Sequence, residues 1–278
     1  MRLTRSYGVT LGLAVAAGTT CGPATPPAET GSASLDLARY EIVDLTHPFN
    51  DRTIYWPTSP SRFELDTLAH GPTPGGYFYS AYAFSTPEHG GTHLDAPVHF
   101  AAGRQSVDRI PVERLIAPAA VIDVHERADA DPDYRLTADD VRAWEAQHGA
   151  IEPGTIVLLR TGWSERWPDR LRYLGDDTPG DATNLRFPSF GEDAARLLVE
   201  ERRVTALGAD VASIDYGRST DFIVHRIAAE QNVFGLENLT ALDRLPATGA
   251  LLIALPVLIE GGSGGPVRVI ALVPRASR

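Results

Sequence analysis

Cysteine is almost absent: Cys21 is the only one in 278 residues, and it lies close to the N-terminus. The folded body therefore has no internal disulfide. A thiolate-rich structural zinc site is excluded by the same count. No run of basic residues occurs, and the formal net charge is −11, which argues against a nucleic-acid partner. A long apolar run is missing too. The run near the start, Tyr7 to Gly18, falls short of the roughly 20 residues that a spanning helix needs. There is no internal repeat and no second domain boundary. The glycine-rich stretch Gly261 to Gly265 lacks the lysine and the strand-to-helix setting of a nucleotide loop, so it reads as a turn.

What the chain does have begins with a leader. Arg2 and Arg5 precede the short apolar run, the shape of a secretory signal. Cys21 follows, and then a Pro/Ser/Thr-rich tract from Gly22 to Ser34 that reads as a linker. Residues 1–21 are thus expected to be a signal peptide or lipoprotein leader, 22–36 a linker, and 37–276 one domain. Cys21 in that place resembles a lipoprotein anchor, with membrane attachment through a lipidated cysteine. The preceding Gly18-Thr19-Thr20 departs from the usual lipobox, so a plain cleaved signal stands beside it. Either way the expected location is outside the cytoplasm: periplasmic, membrane-anchored or secreted.

The body reads as α/β. Strands are expected at Tyr40 to Leu45, Tyr77 to Ser85, Ala119 to Val124, Thr155 to Arg160, Val204 to Ala209, Leu251 to Leu258 and Val267 to Val273. Phe78, Tyr79 and Tyr82 read as strand packing. Helices are expected at Thr137 to His148, at Phe190 to Arg202 and within Thr220 to Gln231. Thr137 followed by Asp140 has the spacing of a capping box. Between Gly162 and Pro188 the pattern fades into a long, partly ordered loop. Loose alternation of strands and helices is the signature of α/β folds.

The most informative segment is His89-Gly90-Gly91-Thr92-His93-Leu94-Asp95-Ala96-Pro97-Val98-His99. Three histidines and an aspartate share eleven residues too rich in Gly and Pro for one helix. Neutral imidazoles plus a carboxylate suit zinc, manganese or iron. Extended, the segment puts His93, Asp95 and His99 on one face, and Gly90 and Gly91 let the chain bend so that His89 joins them. Closing a metal site takes a second segment. His225 and Glu237 are the candidates; a carboxylate amid apolar residues wants a cation or a donor. Trp56 and Trp163 are candidate walls for an aromatic substrate. Asp210 and Asp215 are candidates to support the site or a turn, and structure is the favoured reading.

The same segment resembles the signature of the cyclase-type metal hydrolases, the family of bacterial kynurenine formamidase and isatin hydrolase. The pattern His-x-Gly-Thr-His-x-Asp-x-Pro-x-His is met at His89, Gly91, Thr92, His93, Asp95, Pro97 and His99. The resemblance continues through Gly208 to Asp215, through His225 with Glu237-Asn238-Leu239, through Leu255-Pro256 and through Gly264 to Arg268. It implies a swivelling β/β/α fold and a homodimer or dimer of dimers. It implies that His89, His93, Asp95, His225 and Glu237 hold one or two divalent ions, zinc or manganese. It implies that His99 is catalytic, moving a proton.

A divalent metal lowers the pKa of its water toward about 7 and polarises a carbonyl. The expected activity is therefore hydrolysis of a small carbonyl substrate, and the resemblance implies that the bond is an amide-like C–N bond, as in an aryl formamide such as N-formylkynurenine. Two features pull toward a cyclic amide (isatin-like) or a lactone: the long stretches Leu68 to Tyr82 and Arg166 to Pro188, and the exported address. A metal-loaded binding protein without turnover is the reading from another class. Such a protein has no need of a spare acid/base like His99 beside the metal.

Overall fold

The computed structural model describes residues 36–275. The leader, Cys21 and nearly all of the linker lie outside the described residues. The chain runs from β1 (Tyr40–Asp44) into a hairpin, β2 (Glu64–Pro72) and β3 (Phe78–Ser85), and then into the short β4 (His93–Asp95). After β5 (Ile116–Asp123) come α1 (His125–Ala130), β6 (Arg135–Leu136), α2 (Ala138–His148) and β7 (Ile156–Arg160). Next are α3 (Arg170–Leu174), β8 (Ser189–Phe190), α4 (Glu192–Arg196), β9 (Ala206–Ala209), α5 (Ile223–Glu230) and β10 (Phe234–Glu237). β11 (Ala250–Pro256) and β12 (Gly264–Pro274) follow.

Eight strands form one mixed sheet in the order β1-β12-β11-β5-β7-β9-β10-β4. β5, β7, β9 and β10 run parallel to one another. β4 pairs antiparallel with β10 and also with the start of β12, so the sheet curls round into a barrel-like ring. Parallel strands covered on both sides read as unbroken apolar runs, and β7 obeys this. Ile156 and Leu158 face one core with Val43, Leu94, Leu236 and Leu252. Val157 and Leu159 face the other, against Val141, Leu198, Val224 and Ile227 of the helical layer. The period of two along the strand makes that division.

The capping box at α2 is present. Thr137 Oγ1 accepts from Asp140 N at 3.2 Å, and the Asp140 carboxylate accepts from Thr137 N at 2.9 Å. Elsewhere the structure departs from expectation. The helix expected from Phe190 starts only at Glu192, because Ser189 and Phe190 pair with β6 and Gly191 N donates to Leu136 O. It then passes into a π-helical turn at Leu197–Glu201. The supposed loop after Gly162 holds a 3-10 turn (Trp163–Arg166) and α3, with Trp163, Tyr173, Leu185 and Phe187 fully buried. Its aromatic residues are irregularly spaced, so no periodicity exposed them as core. Phe78, Tyr79 and Tyr82 are not packed: they are 63%, 52% and 46% exposed. β2 and β3 pair only with each other, detached from the main sheet.

Candidate metal centre

Register brings the first and last donors together. β4 pairs with β10 so that His93 lies opposite Glu237 and Asp95 opposite Gly235. His89 precedes β4 across Gly90 and Gly91, whose φ values of 156° and 57° lie where side chains are disfavoured. Thr92 locks the bend. Its Oγ1 donates to Asn238 O at 2.6 Å and accepts from His47 N at 2.9 Å. His225 enters from the first turn of α5.

Four buried side chains then converge. His93 Nε2 lies 3.1 Å from Asp95 Oδ1 and 3.5 Å from Glu237 Oε2. His225 Nε2 lies 3.2 Å from Asp95 Oδ2 and 3.1 Å from Glu237 Oε1. The opposite nitrogen of each ring is committed. His93 Nδ1 donates to Gly91 O at 3.0 Å, and His225 Nδ1 donates to Asp215 Oδ2 at 2.6 Å. Each ring is thereby oriented with Nε2 facing inward, the orientation that metal-binding histidines adopt. Burial alone would lower the pKa of His93, but Asp95 and Glu237 outweigh it and push it up to about 9. Burial raises the Glu237 carboxyl, with the Asp95 charge adding to it. Two carboxylates this deep call for a cation. The donor set fits a divalent metal.

His93, Asp95 and Glu237 each bring one donor atom within 4.8 Å of the others, and His89, Asp95 and His99 do the same. Asp95 belongs to both groups, the arrangement a pair of ions would share. His89 Nδ1 is 2.5 Å from Asp95 Oδ1, and its Nε2 is 2.9 Å from Ser263 Oγ. His99 stacks on His89 with ring centres 3.7 Å apart. It does not sit in phase along an extended strand as the spacing predicted. A 3-10 turn, Pro97–His99, swings it over. The residue as a whole is exposed at the rim. The ring is packed against His89 and Phe100, and that desolvation pushes its pKa down to about 4.

A cavity of about 360 Å³ opens onto these donors. Trp56, Tyr55, Phe100 and Phe222 form its aromatic wall. Trp163, expected with Trp56 to face a substrate, is a core residue instead. It is fully buried, donates Nε1–H to Tyr173 O at 2.8 Å, and is absent from the cavity lining.

Three residues support the centre without being assigned to it from sequence. Asp215 read as structural, yet it holds His225 by ring and backbone. Ser263, hidden in a glycine-rich turn, touches His89 and donates to Glu88 Oε2 at 2.5 Å. Tyr173, from the supposed loop, donates to Asn238 Oδ1 at 3.0 Å. No local pattern marks Ser263 or Tyr173, whereas Asp215 closes the Gly208 to Asp215 stretch that carries the family resemblance. Asp210 is structural as expected: it accepts from Thr161 N, Thr161 Oγ1 and Gly162 N, while burial raises its pKa to about 6.

A buried His/Asp/Glu centre at the edge of a closed mixed sheet defines a metal-dependent hydrolase. Comparisons with known proteins agree. Residues 43–216 match the family model described as a putative cyclase. An isatin hydrolase of Roseibium aggregatum is 41% identical over 258 residues, covering 88% of this chain and 96% of that protein. A kynurenine formamidase of Sphingopyxis alaskensis is 31% identical over 230 residues, covering 82% and 96%. A solved isatin hydrolase bound to the product analogue thioisatinate has a TM-score of 0.79 at 35% identity, covering 86% of this chain and 94% of its own. The chain belongs to the cyclase family.

Proposed function

We infer that this hydrolase opens a small, neutral cyclic amide of the isatin type. The carrying observation is the cavity lining. Every charge-bearing side chain in it belongs to the metal-donor set or is His99; the rest of the lining is neutral. The chain has no lysine, and no arginine lines the cavity. N-formylkynurenine carries an ammonium and a carboxylate, and burying them without partners is costly. A flat uncharged ring carries no such cost against Trp56, Phe100 and Phe222. The 41% identical isatin hydrolase supports the same choice.

A divalent metal, zinc or manganese, supplies acidified water and a polarised carbonyl when bound. The chain's own groups do the rest. His89, His93, Asp95, His225 and Glu237 would hold one or two such ions. Water oxygen adds to the lactam carbonyl carbon, the C–N bond breaks, and a carboxylate is left. His99, at the rim beside His89, takes the water proton and returns it to the departing nitrogen. Export by the residue 1–21 leader, with Cys21 as a lipid anchor, belongs to the same proposal; among the described residues no helix is long and apolar enough to cross a membrane.

The test is a comparison of kcat/KM for isatin and N-formylkynurenine on metal-loaded protein, followed by absorbance. Isatin should be preferred by at least about tenfold, some 1.4 kcal/mol. A preference for N-formylkynurenine would restore the formamidase reading. Bound metal without turnover of any amide or lactone would leave a metal-binding protein.

A further inference from the structure

We propose that Tyr173 is a positioning residue for the metal centre, acting through the Asn238 side chain on the loop that carries His93. This rests on the metal site proposed above.

Tyr173 lies outside every motif of the site, in α3, and is fully buried. Its hydroxyl lies 3.0 Å from Asn238 Oδ1 and 3.3 Å from Asp210 O, and its one hydrogen goes to the nearer acceptor, the Asn238 amide. Asn238 Nδ2 donates onward to Gly91 O at 2.8 Å. That carbonyl also receives His93 Nδ1–H at 3.0 Å. Carbonyl oxygens only accept, so Gly91 O fixes which end of the amide must face it, and the phenol fixes the other end. Among the described residues no other group donates to Asn238 Oδ1. The relay therefore has one direction, and it ends on the ring nitrogen that orients His93.

Asn238 is well placed for this task. It follows Glu237 directly and has a left-handed backbone, φ 54°. Its N–H donates to Val211 O at 2.8 Å, and its carbonyl accepts from Thr92 Oγ1 at 2.6 Å. One residue thus joins the Glu237 strand to the His89–Asp95 segment, and Tyr173 holds its amide. Packing is the competing role for a buried tyrosine. The Tyr173 ring sits edge-on to Trp167 at 5.3 Å, and its carbonyl accepts from Trp163. Neither contact uses the hydroxyl.

The experiment titrates zinc into apo-protein against a chromogenic chelator, alongside thermal melting and steady-state kinetics. Tyr173→Phe keeps the ring and removes only the hydroxyl. It should weaken zinc about tenfold and lower kcat with KM little changed, the scale of an outer-shell loss. Trp163→Phe removes the packing-side hydrogen bond. It should lower the melting temperature and leave zinc affinity within about twofold. Asn238→Gly keeps the left-handed backbone and deletes the amide; combined with Tyr173→Phe it should lose no more than it does alone. Zinc affinity unchanged in Tyr173→Phe would overturn the proposal. So would losses that multiply in the double variant. Asn238→Gly alone decides if Tyr173→Phe does not fold: zinc bound as tightly as by the parent protein overturns it. Parental protein that binds no divalent metal would sink the metal reading itself, a distinct result.

Discussion

Asp215 grips His225 twice: Oδ2 accepts the backbone N–H at 3.1 Å and the ring Nδ1–H at 2.6 Å, while Oδ1 accepts Val224 N at 2.9 Å. One carboxylate thus caps the start of α5 and aims its metal-facing imidazole. Asp215→Asn cannot serve both roles with the same charge. Metal affinity should fall by about 10- to 100-fold, with a parallel loss in kcat/KM. Equilibrium metal titration checks this, and undiminished binding would reduce Asp215 to a helix cap.

His99 and His93 should separate function from binding. His99→Ala is expected to abolish turnover and leave metal content nearly intact. His93→Ala removes a buried donor facing both Asp95 and Glu237, and should empty the centre. Emission spectrometry on both purified variants reads the difference. Metal lost from His99→Ala would make it a ligand of the group it forms with His89 and Asp95.

The two tryptophans should behave oppositely. Trp56 lines the cavity, so Trp56→Ala should raise KM for isatin with little loss of folding stability. Trp163→Phe loses a buried hydrogen bond and volume, costing about 1–3 kcal/mol of stability. Its KM should stay put. Urea unfolding with steady-state kinetics on both variants tests the assignment, and the reverse pattern would return Trp163 to the substrate.

Acid stability carries a trace of Asp140. Burial alone would raise its pKa, but hydrogen bonds from Thr137, Tyr134 and Arg127 outweigh that and hold it at about 2. A lowered folded-state value means stability that is complete above the unfolded value and lost as pH falls through the folded one. The contribution is about 2 kcal/mol at most, discounted for partial exposure. Asp140→Asn should cost stability at about pH 5 and much less at about pH 2. A pH-independent penalty would contradict the assignment.

The β2–β3 hairpin exposes Leu65, Leu68, Phe78, Tyr79, Tyr82 and Phe84. An isolated two-stranded ribbon is marginal in water. These side chains are 46–68% exposed, an apolar concentration that marks interaction surfaces. A second copy of the chain is the expected cover, matching the homodimer or tetramer that the family resemblance implies. Ultracentrifugation should show a dimer or larger, and Phe78→Glu with Phe84→Glu should give monomers. A monomeric parental protein would end this reading.

Much of the centre was legible because its chemistry is concentrated. His89, His93, Asp95 and His99 lie within eleven residues, and no bland role needs that density of imidazole. The parallel strands were legible for the same local reason: Ile156 to Leu159 is apolar without a break. Trp163 misled because an aromatic residue beside a polar stretch looks the same whether it faces a ligand or a core. The hairpin misled in the opposite direction, since alternation along β3 does not say whether anything covers it.

Sequence by itself determined the donor types, the α/β class, the capping box and the absence of thiolate chemistry, because each depends on residue identity and short spacing. Tertiary structure alone decided that Glu237 stands opposite His93, that a 3-10 turn carries His99 over His89, and that Asp215, Ser263 and Tyr173 support the centre. Those outcomes depend on strand register and on contacts between residues far apart in the chain, such as His89 and Ser263 at 174 positions. Local propensity carries no information about which distant partner satisfies a buried donor; only the packed fold does.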